Sequence, residues 1–246
     1  YHVGKRRKKI KKPAPEDTEL GRKSHGYPID EHYANPIFDE NRGNPLFDLR
    51  KQCEICAFNV RSLRAYVRHA KSQLFFNQTY DIVGFTEVQA EFWQLVRNQQ
   101  VTKNARNYNY LFFHTCTSTT IPHTYARTAI WTRPRPNAVI YGFCTSEIDD
   151  EGRTITLVFT DSICVLIYAP AKIEFNEIFM LKLLHHMEKL VTTYKLPIIL
   201  GGDTNVPLED DDVSSEHPWS DVLPNFGTSR EILAEIFAVI EGIPAR

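Results

Sequence analysis

Two oxygen-bearing side chains, Asp203 and Asn205, follow an apolar run that ends in two glycines. The segment 195–212 reads KLPIILGGDTNVPLEDDD. Its apolar residues predict a buried strand, and the glycines mark the strand end. A carboxylate and an amide at such a position are oxygen ligands of the kind that hard divalent cations bind. The segment therefore indicates one half of a metal site, and the other half must come from elsewhere in the chain.

A second pattern with metal-binding spacing is CEIC at 53–56. Cys-x-x-Cys is half of many zinc sites, but no second such pair and no matching histidine pair follows. Cys56 also lies in an apparent core strand. The chain has five cysteines, an odd number, and several lie in apolar runs. This usage favours reduced thiols in an intracellular compartment over a zinc site.

The elements that must position these residues follow from hydrophobic periodicity. Short apolar runs predict strands at 53–60, 81–87, 110–113, 127–132, 138–143, 154–159, 163–170 and 197–202. Helical spacing predicts helices at 61–77, 90–98, 174–194 and from 228 onwards. Strands alternate with helices at both ends, around a block of consecutive strands. This order predicts an α/β sandwich of two sheets, face to face, with helices outside.

Charge divides the chain into a basic arm at 1–50 and an acidic domain at 51–246. Of the 29 basic side chains, seven lie in the first twelve residues, and the remaining 22 face 30 acidic ones. Such an arm can bind a polyanion, serve as a nuclear import signal or remain solvated. We expect it to bind RNA through its seven cations, which are Lys5, Arg6, Arg7, Lys8, Lys9, Lys11 and Lys12.

Two features of the sequence bear on where in the cell the protein is located. No run of 18 apolar residues occurs, so we expect no membrane-spanning segment. The chain begins with Tyr1 rather than Met, which is compatible with removal of a targeting segment.

Four strand ends, taken together and in order, resemble the endonuclease/exonuclease/phosphatase superfamily, and most closely its exonuclease-III-type abasic-site DNA endonucleases. The segments that carry the resemblance are FNVRSLRAY (58–66), DIVGFTEVQ (81–89), EIDDEGRTITLVF with VLIYAPA (147–171), and LGGDTNVPLEDDDV (200–213) with FGTSREI (226–232). The resemblance implies a four-layer α/β sandwich of two mainly antiparallel sheets. It also implies Mg²⁺-assisted attack of an activated water on a phosphodiester.

The resemblance also implies roles for five residues. Asn59 matches the family's asparagine beside the metal, and Glu87 matches its metal-binding glutamate. Tyr168 matches the tyrosine that contacts the phosphate. Asp203 matches the aspartate that orients or activates the water, and Asn205 matches its partner in the Gly-Asp-x-Asn motif. Glu87 therefore belongs to the missing half of the metal site.

Several positions depart from the family pattern. Arg61 stands where the family has an acid or amide, and a guanidinium there would place a fixed positive charge where the cation should sit. Gln89 replaces a common lysine, Ala171 replaces the asparagine of Tyr-x-Pro-Asn, and Arg127 occupies a glycine position. No Asp-His dipeptide occurs in the sequence, whereas the family's last section contains one.

The missing section has two explanations, which stay open. Either the sequence is a fragment of an active enzyme, or the protein has lost its catalytic end. The sandwich is expected to lack its last strands and to leave a sheet edge open to neighbouring subunits. Truncation alone would not produce Arg61, Ala171 or Arg127, so the departures favour loss of catalysis. The five matched residues would then be remnants, and no cofactor would be bound.

Two functions follow as hypotheses. The favoured one is a catalytically degenerate structural subunit of an RNA–protein assembly. The specific assembly that we predict is a mitochondrial ribosome. The alternative is an active Mg²⁺-dependent abasic-site endonuclease or exonuclease of DNA base-excision repair, with a nuclear location. A third hypothesis, a phosphoesterase with a lipid or nucleotide substrate, has no residue that supports it.

Overall fold

The described part of the chain has eight strands, which form two sheets that pack face to face. The structure is a computed structural model, and it describes residues 53–69, 72–78, 80–90, 94–95, 97–114, 126–143, 151–207 and 227–242. The basic arm predicted at 1–50 lies outside the described residues, as does part of the helix predicted at 90–98.

Each sheet has four strands. The first sheet has the order β1-β2-β4-β3, and its strands are β1 (Ile55–Asn59), β2 (Ile82–Thr86), β3 (Tyr110–His114) and β4 (Thr128–Thr132). The second has the order β5-β6-β7-β8, and its strands are β5 (Ala138–Tyr141), β6 (Thr154–Val158), β7 (Ile163–Tyr168) and β8 (Ile198–Asp203).

Each sheet combines one parallel strand pair with two antiparallel pairs. β1 pairs with β2 in parallel, and β7 pairs with β8 in parallel, whereas the other four strand pairs are antiparallel. The prediction of mainly antiparallel sheets is therefore confirmed. A parallel pair requires a crossover connection, and helices supply it in both sheets.

Five helices that lie wholly within the described ranges form the outer layers. They are α1 (Leu63–Tyr66), α2 (Ser72–Phe76), α3 (Gln99–Ala105), α4 (Ile173–Tyr194) and α5 (Gly227–Ile240). Residues of α1, α2 and α3 pack on the first sheet, and those of α4 and α5 pack on the second. A third cluster fills the space between the sheets. The predicted four-layer sandwich is therefore confirmed. None of the described helices has the length and hydrophobicity needed to cross a bilayer.

The single helix predicted at 61–77 is wrong, because the chain forms α1 and α2 instead. Ser72 is buried, and its hydroxyl donates to the carbonyl of His69 at 2.7 Å. A serine side chain that bonds nearby backbone carbonyls competes with helical hydrogen bonding. In α2 Phe76 is buried, while Leu74 has 71% of its surface exposed.

The edge strands β1 and β8 lie next to each other. A Cβ added to Gly201 would be 3.6 Å from the Cβ of Ala57. Among the described strands, each of these two has one hydrogen-bonded neighbour. Phe58 and Ile199 are partly exposed here, by 37% and 39%. An open, partly apolar sheet edge is therefore present in the part of the chain that the structure describes.

Candidate active site

Four strand ends meet at one end of the sandwich. Asn59 ends β1, Glu87 follows β2, Tyr168 ends β7 and Asp203 ends β8. In each sheet the two strands form a parallel pair, so their carboxyl ends lie at the same edge. The two parallel pairs thus each supply two side chains to the site.

Hydrogen bonds join these side chains across the sandwich. The Asn59 amide nitrogen Nδ2 donates to Glu87 Oε1 and to Asp203 Oδ2, both at 2.9 Å. The Tyr168 hydroxyl donates to Glu87 Oε1 at 3.1 Å. One amide group therefore bridges a carboxylate of the first sheet and a carboxylate of the second.

Asn205 stabilises the loop that follows Asp203. Its backbone N–H donates to Asp203 Oδ1 at 3.1 Å, and its amide nitrogen donates to the carbonyl of Ala169 at 2.7 Å. The N–H of Ala169 in turn donates to the carbonyl of Asp203 at 2.8 Å. The five residues predicted from the sequence thus lie together, while their chemical roles remain predictions.

The backbone of the site is locally strained. Positive φ angles occur at Arg61 (+44°), Ser62 (+100°), Glu87 (+51°), Gln89 (+49°) and Asn205 (+50°). Such angles are uncommon for residues with a Cβ, and they cluster at functional sites where the surrounding structure holds them. The loops after β1, β2 and β8 all share this property.

Gly202 allows β8 to approach β7 closely. Its φ is +128°, and an added Cβ would be 2.0 Å from the carbonyl oxygen of Ile167. Glycine is the residue that fits such a position. The second glycine of the segment Gly-Gly-Asp therefore sets the position of Asp203 beside the end of β7.

The site is rich in negative charge. Glu87 and Asp203 share one amide donor, and neither forms an ion pair with a basic side chain among the described residues. Burial raises the pKa of Tyr168 to about 12, and the nearby Glu87 charge adds to this shift. Tyr168 is therefore a protonated hydrogen-bond donor at neutral pH.

The donor set fits a hard cation. Within the described residues, no cluster of three or more His, Cys, Asp or Glu side chains could hold a metal. Mg²⁺, however, commonly takes one or two protein carboxylates and completes its shell with water and substrate phosphate oxygens. Glu87 and Asp203 offer two such carboxylates, and their mutual repulsion favours a cation between them.

The departures from the family pattern disturb this site less than the sequence predicts. The Arg61 side chain is exposed, and its backbone N–H donates to Asn59 Oδ1 at 3.1 Å. Its guanidinium forms no ion pair with either carboxylate in the described ranges, so the predicted occupation of the cation position is wrong. Gln89 donates to Glu87 Oε2 at 3.2 Å. Arg127 has a φ of +86°, which explains why the family has glycine there.

Two residues that support the site are absent from the sequence prediction. Arg153 lies against Tyr168, with its guanidinium carbon 4.9 Å from the ring centroid. Asn176 is buried on α4 and donates to the carbonyls of Pro170 and Thr204, at 2.8 and 3.0 Å. Asn176 could have been found as a polar residue in helical register with Met180 and other apolar positions. Arg153 lies in the segment EIDDEGRTITLVF, which resembles the family, but the sequence alone assigned it no role.

The described cysteines do not form a second reactive centre. Cys53, Cys56 and Cys164 are free thiols. Burial raises the pKa of Cys53 and of Cys164 to about 12, and that of Cys56 is also raised. Thiols that stay protonated at neutral pH are poor nucleophiles and metal ligands.

Known proteins of similar sequence are nucleases and repair proteins by name. An exodeoxyribonuclease of Bacillus subtilis is 27% identical over 169 residues, which cover 66% of this chain and 62% of that protein. Recombination repair protein 1 of Drosophila melanogaster is 30% identical over 174 residues, or 68% of this chain and 24% of that protein. The chain therefore spans less than two thirds of the length of these relatives.

Solved structures share the fold. An AP endonuclease from Archaeoglobus fulgidus superposes with a TM-score of 0.60 at 21% identity, over 76% of this chain and 70% of that one. A 3' phosphatase from Neisseria, bound to a product DNA hairpin, gives a TM-score of 0.57 at 16% identity, over 75% and 70% of the two chains. The model of the Endonuclease/Exonuclease/phosphatase family matches residues 56–231, a range that contains all four strand ends of the site, and the chain belongs to that family.

Proposed function

We propose that this chain hydrolyses phosphodiester bonds of DNA with the help of Mg²⁺. The observation that carries the proposal is the amide of Asn59, which bridges Glu87 and Asp203 at equal distances of 2.9 Å. Two neighbouring carboxylates without a cationic partner repel each other. We therefore expect a site that no longer catalyses a reaction to lose one of them.

Each residue of the site has a role that follows from its contacts. Asp203 has lone pairs left after its two hydrogen bonds, so it can accept a proton from an attacking water. The hydroxyl of the protonated Tyr168 donates to Glu87 Oε1 here, and it can exchange this bond for one to a phosphate oxygen of the substrate. Glu87 and Asp203 would hold Mg²⁺, which supplies positive charge for the phosphate when bound.

Three basic side chains that follow Asn59 in the chain favour a nucleic-acid substrate. We call Arg61, Arg64 and Arg68 the basic strip. Arg61 and Arg68 are exposed, and none of the three forms an ion pair within the described part of the chain. Free guanidinium groups near a phosphoryl-transfer site attract a phosphate backbone. The acidic average of the domain therefore does not exclude nucleic-acid binding at this surface. The relatives named as an exodeoxyribonuclease and a repair protein favour DNA.

The test is incision of a duplex oligonucleotide with one abasic site, under single-turnover conditions with MgCl₂. We expect slow incision that EDTA abolishes. Ala171 stands where the family has an asparagine, so this chain has one potential polar contact fewer at the site. The Bacillus exodeoxyribonuclease provides the reference rate.

Matched variants decide whether the incision belongs to this site. Glu87→Gln and Asp203→Asn should abolish it, whereas Asp161→Asn, at the opposite end of β7, should leave it unchanged. Mg²⁺-dependent incision that survives in Glu87→Gln would point to a contaminating nuclease. No incision above that variant's background would overturn the proposal.

A second candidate function rests on the basic arm. Seven cations in twelve residues, joined to an acidic domain, are the charge distribution of a subunit anchored in RNA. In this hypothesis the chain is a non-catalytic member of a mitochondrial ribonucleoprotein such as a ribosome, and neighbouring subunits cover the open edge of β1 and β8. Ala171, in place of the asparagine of the family's Tyr-x-Pro-Asn, favours it. Failure of Mg²⁺-dependent incision together with RNA binding by the arm would support it.

A further inference from the structure

Arg153, which immediately precedes β6, and Tyr168, which ends β7, are joined by three contacts. The N–H of Tyr168 donates to the carbonyl of Arg153 at 2.8 Å. The Arg153 guanidinium nitrogen Nη1 donates to the carbonyl of Tyr168 at 3.0 Å. The guanidinium carbon also lies 4.9 Å from the centroid of the Tyr168 ring. One side chain thus holds both the backbone and the ring of the tyrosine.

The guanidinium itself is held in place. Arg153 Nε pairs with the carboxylate of Glu151, and the Arg153 side chain is largely buried. Gly152 between them has a φ of +72°, in the left-handed region. Its carbonyl accepts a hydrogen bond from the buried Thr128 hydroxyl at 3.1 Å, which fastens the turn to the first sheet.

Tyr168 needs such support. Its hydroxyl reaches Glu87 Oε1 from the other sheet, at 3.1 Å. That single hydrogen bond fixes the position of the oxygen, which lies on the axis of the bond joining the ring to Cβ, and leaves the ring free to turn about that axis. Because a phenol O–H stays close to the plane of its ring, the orientation of the ring decides where the hydroxyl proton points. A flat guanidinium over the ring face restricts this rotation through cation–π attraction. A lysine would keep the charge but lose the planar stack and the fork of donors.

We infer that Arg153 is a positioning residue that holds the Tyr168 ring so that its hydroxyl faces Glu87 and the substrate phosphate. The inference rests on the proposed function, since it takes Tyr168 to contact the substrate. Arg153 itself acts through Tyr168.

A similar pair elsewhere in the molecule provides a control. The Arg133 guanidinium lies 5.9 Å from the ring centroid of Tyr108 and forms an ion pair with Asp81 at 3.9 Å. Asp81 precedes β2, so this pair lies at the end of the sheet opposite the site. Arg133→Lys therefore removes a stacked arginine of the same kind without touching the site.

The first experiment measures single-turnover incision of the abasic-site duplex by Arg153→Lys, Tyr168→Phe, the double variant and Arg133→Lys. Arg153→Lys should lower the rate constant about tenfold, the effect of losing one good hydrogen-bonded contact. Arg133→Lys should stay within about twofold. In the Tyr168→Phe background, Arg153→Lys should cost little more, because coupled residues are not additive. An equal loss in both backgrounds would overturn the inference.

The second experiment does not need activity. The chain is labelled with ¹³C-tyrosine, and the Tyr168 ring signal is assigned by its absence from the spectrum of Tyr168→Phe. Arg153→Lys should shift this signal and leave Tyr108 unchanged, and Arg133→Lys should do the reverse. An unmoved Tyr168 signal in Arg153→Lys would overturn the inference even if the wild type is active. If the chain does not cleave DNA but the Tyr168 signal shifts in Arg153→Lys, the proposed function is wrong and the contact between Arg153 and the Tyr168 ring is still present.

Discussion

At the scale of single residues, Asn59 is central because its amide serves two carboxylates at once. If the amide were removed, Glu87 and Asp203 would each lose a donor and would face each other unscreened. When a partly buried carboxylate loses a hydrogen bond, the fold loses more stability than the bond contributed. The reason is that water replaces the lost donor incompletely. The residue therefore supports the fold as well as the site.

We predict that Asn59→Ala lowers the free energy of unfolding by about 1–3 kcal/mol. The measurement is urea denaturation in the absence of divalent cations. Asn137→Ala is the matched control, because the Asn137 amide bonds an exposed hydroxyl, that of Thr160, at 3.3 Å. The control should change stability by less than about 0.5 kcal/mol. Equal effects of the two substitutions would contradict the prediction.

At the scale of elements, the fit of α4 onto the second sheet depends on a buried histidine. His186 has no exposed surface, and its Nε2 lies 2.9 Å from the Thr156 hydroxyl of β6. Burial lowers the pKa of His186 to about 4, and the positive charge of Lys189 adds to the shift. The helix therefore packs on the sheet with this imidazole neutral.

The low pKa of His186 predicts a loss of stability in acid. The unfolded chain protonates this histidine near pH 6.5, whereas the folded one does so only near pH 4. Between these values the unfolded state binds more protons, so the free energy of unfolding falls as the pH falls, by up to about 3 kcal/mol. Urea denaturation across this window should show a weaker pH dependence for His186→Gln.

His185→Gln is the control, because His185 is the exposed neighbour on the same helix. It should keep the pH dependence of the wild type. If His186→Gln and the wild type lost stability in parallel, other groups would be responsible.

The edge strand β8 shows neighbouring isoleucines in opposite environments. Ile198 is 7% exposed, and Ile199 is 39% exposed at the open edge. Ile199→Lys should change the melting temperature little, because the side chain is already partly exposed and the lysine charge can reach water. Ile198→Lys should destabilise the fold by at least about 3 kcal/mol, since it buries an unpaired charge. Similar melting temperatures for the two variants would refute this assignment of faces.

The elements were largely predictable, and the contacts between them were not. Each described strand coincides with an apolar run, since burial on both faces leaves a strong signal, as in Ile82–Thr86. The break between α1 and α2 depends on where the Ser72 hydroxyl bonds, and periodicity cannot show that. Asn59 and Glu87 were found through a family resemblance. The contact between Arg153 and Tyr168 depends on the register of β6 against β7, which hydrophobic periodicity does not show. Arg153 was therefore missed.

At the scale of the whole molecule, we expect the basic arm to bind RNA and the domain to bind the DNA substrate. We predict that deletion of residues 1–12 abolishes RNA binding and leaves the fold intact. If all seven cations contact the phosphates of one strand, log K should fall with log[salt] at a slope of about −5. The measurement is fluorescence anisotropy with single-stranded RNA at several salt concentrations.

The basic strip provides the control for the arm. Arg64→Gln with Arg68→Gln should weaken DNA incision and leave RNA binding by the full chain unchanged. RNA affinity that survives the deletion of residues 1–12 would show that the domain itself binds RNA, and the ribonucleoprotein hypothesis would lose its main support.

The hydrogen bonds of the site connect residues that are far apart along the chain. Asn59 and Asp203 are separated by 144 positions, and Glu87 and Tyr168 by 81. Each parallel pair with its crossover helices can form early, because its contacts are more local, whereas the site requires the two halves of the sandwich to have met. The same bonds should be the last to form during folding and the first to break under mild denaturant. The ability to bind a divalent cation would then be lost before the secondary structure, and cation binding would report on the docking of the two halves.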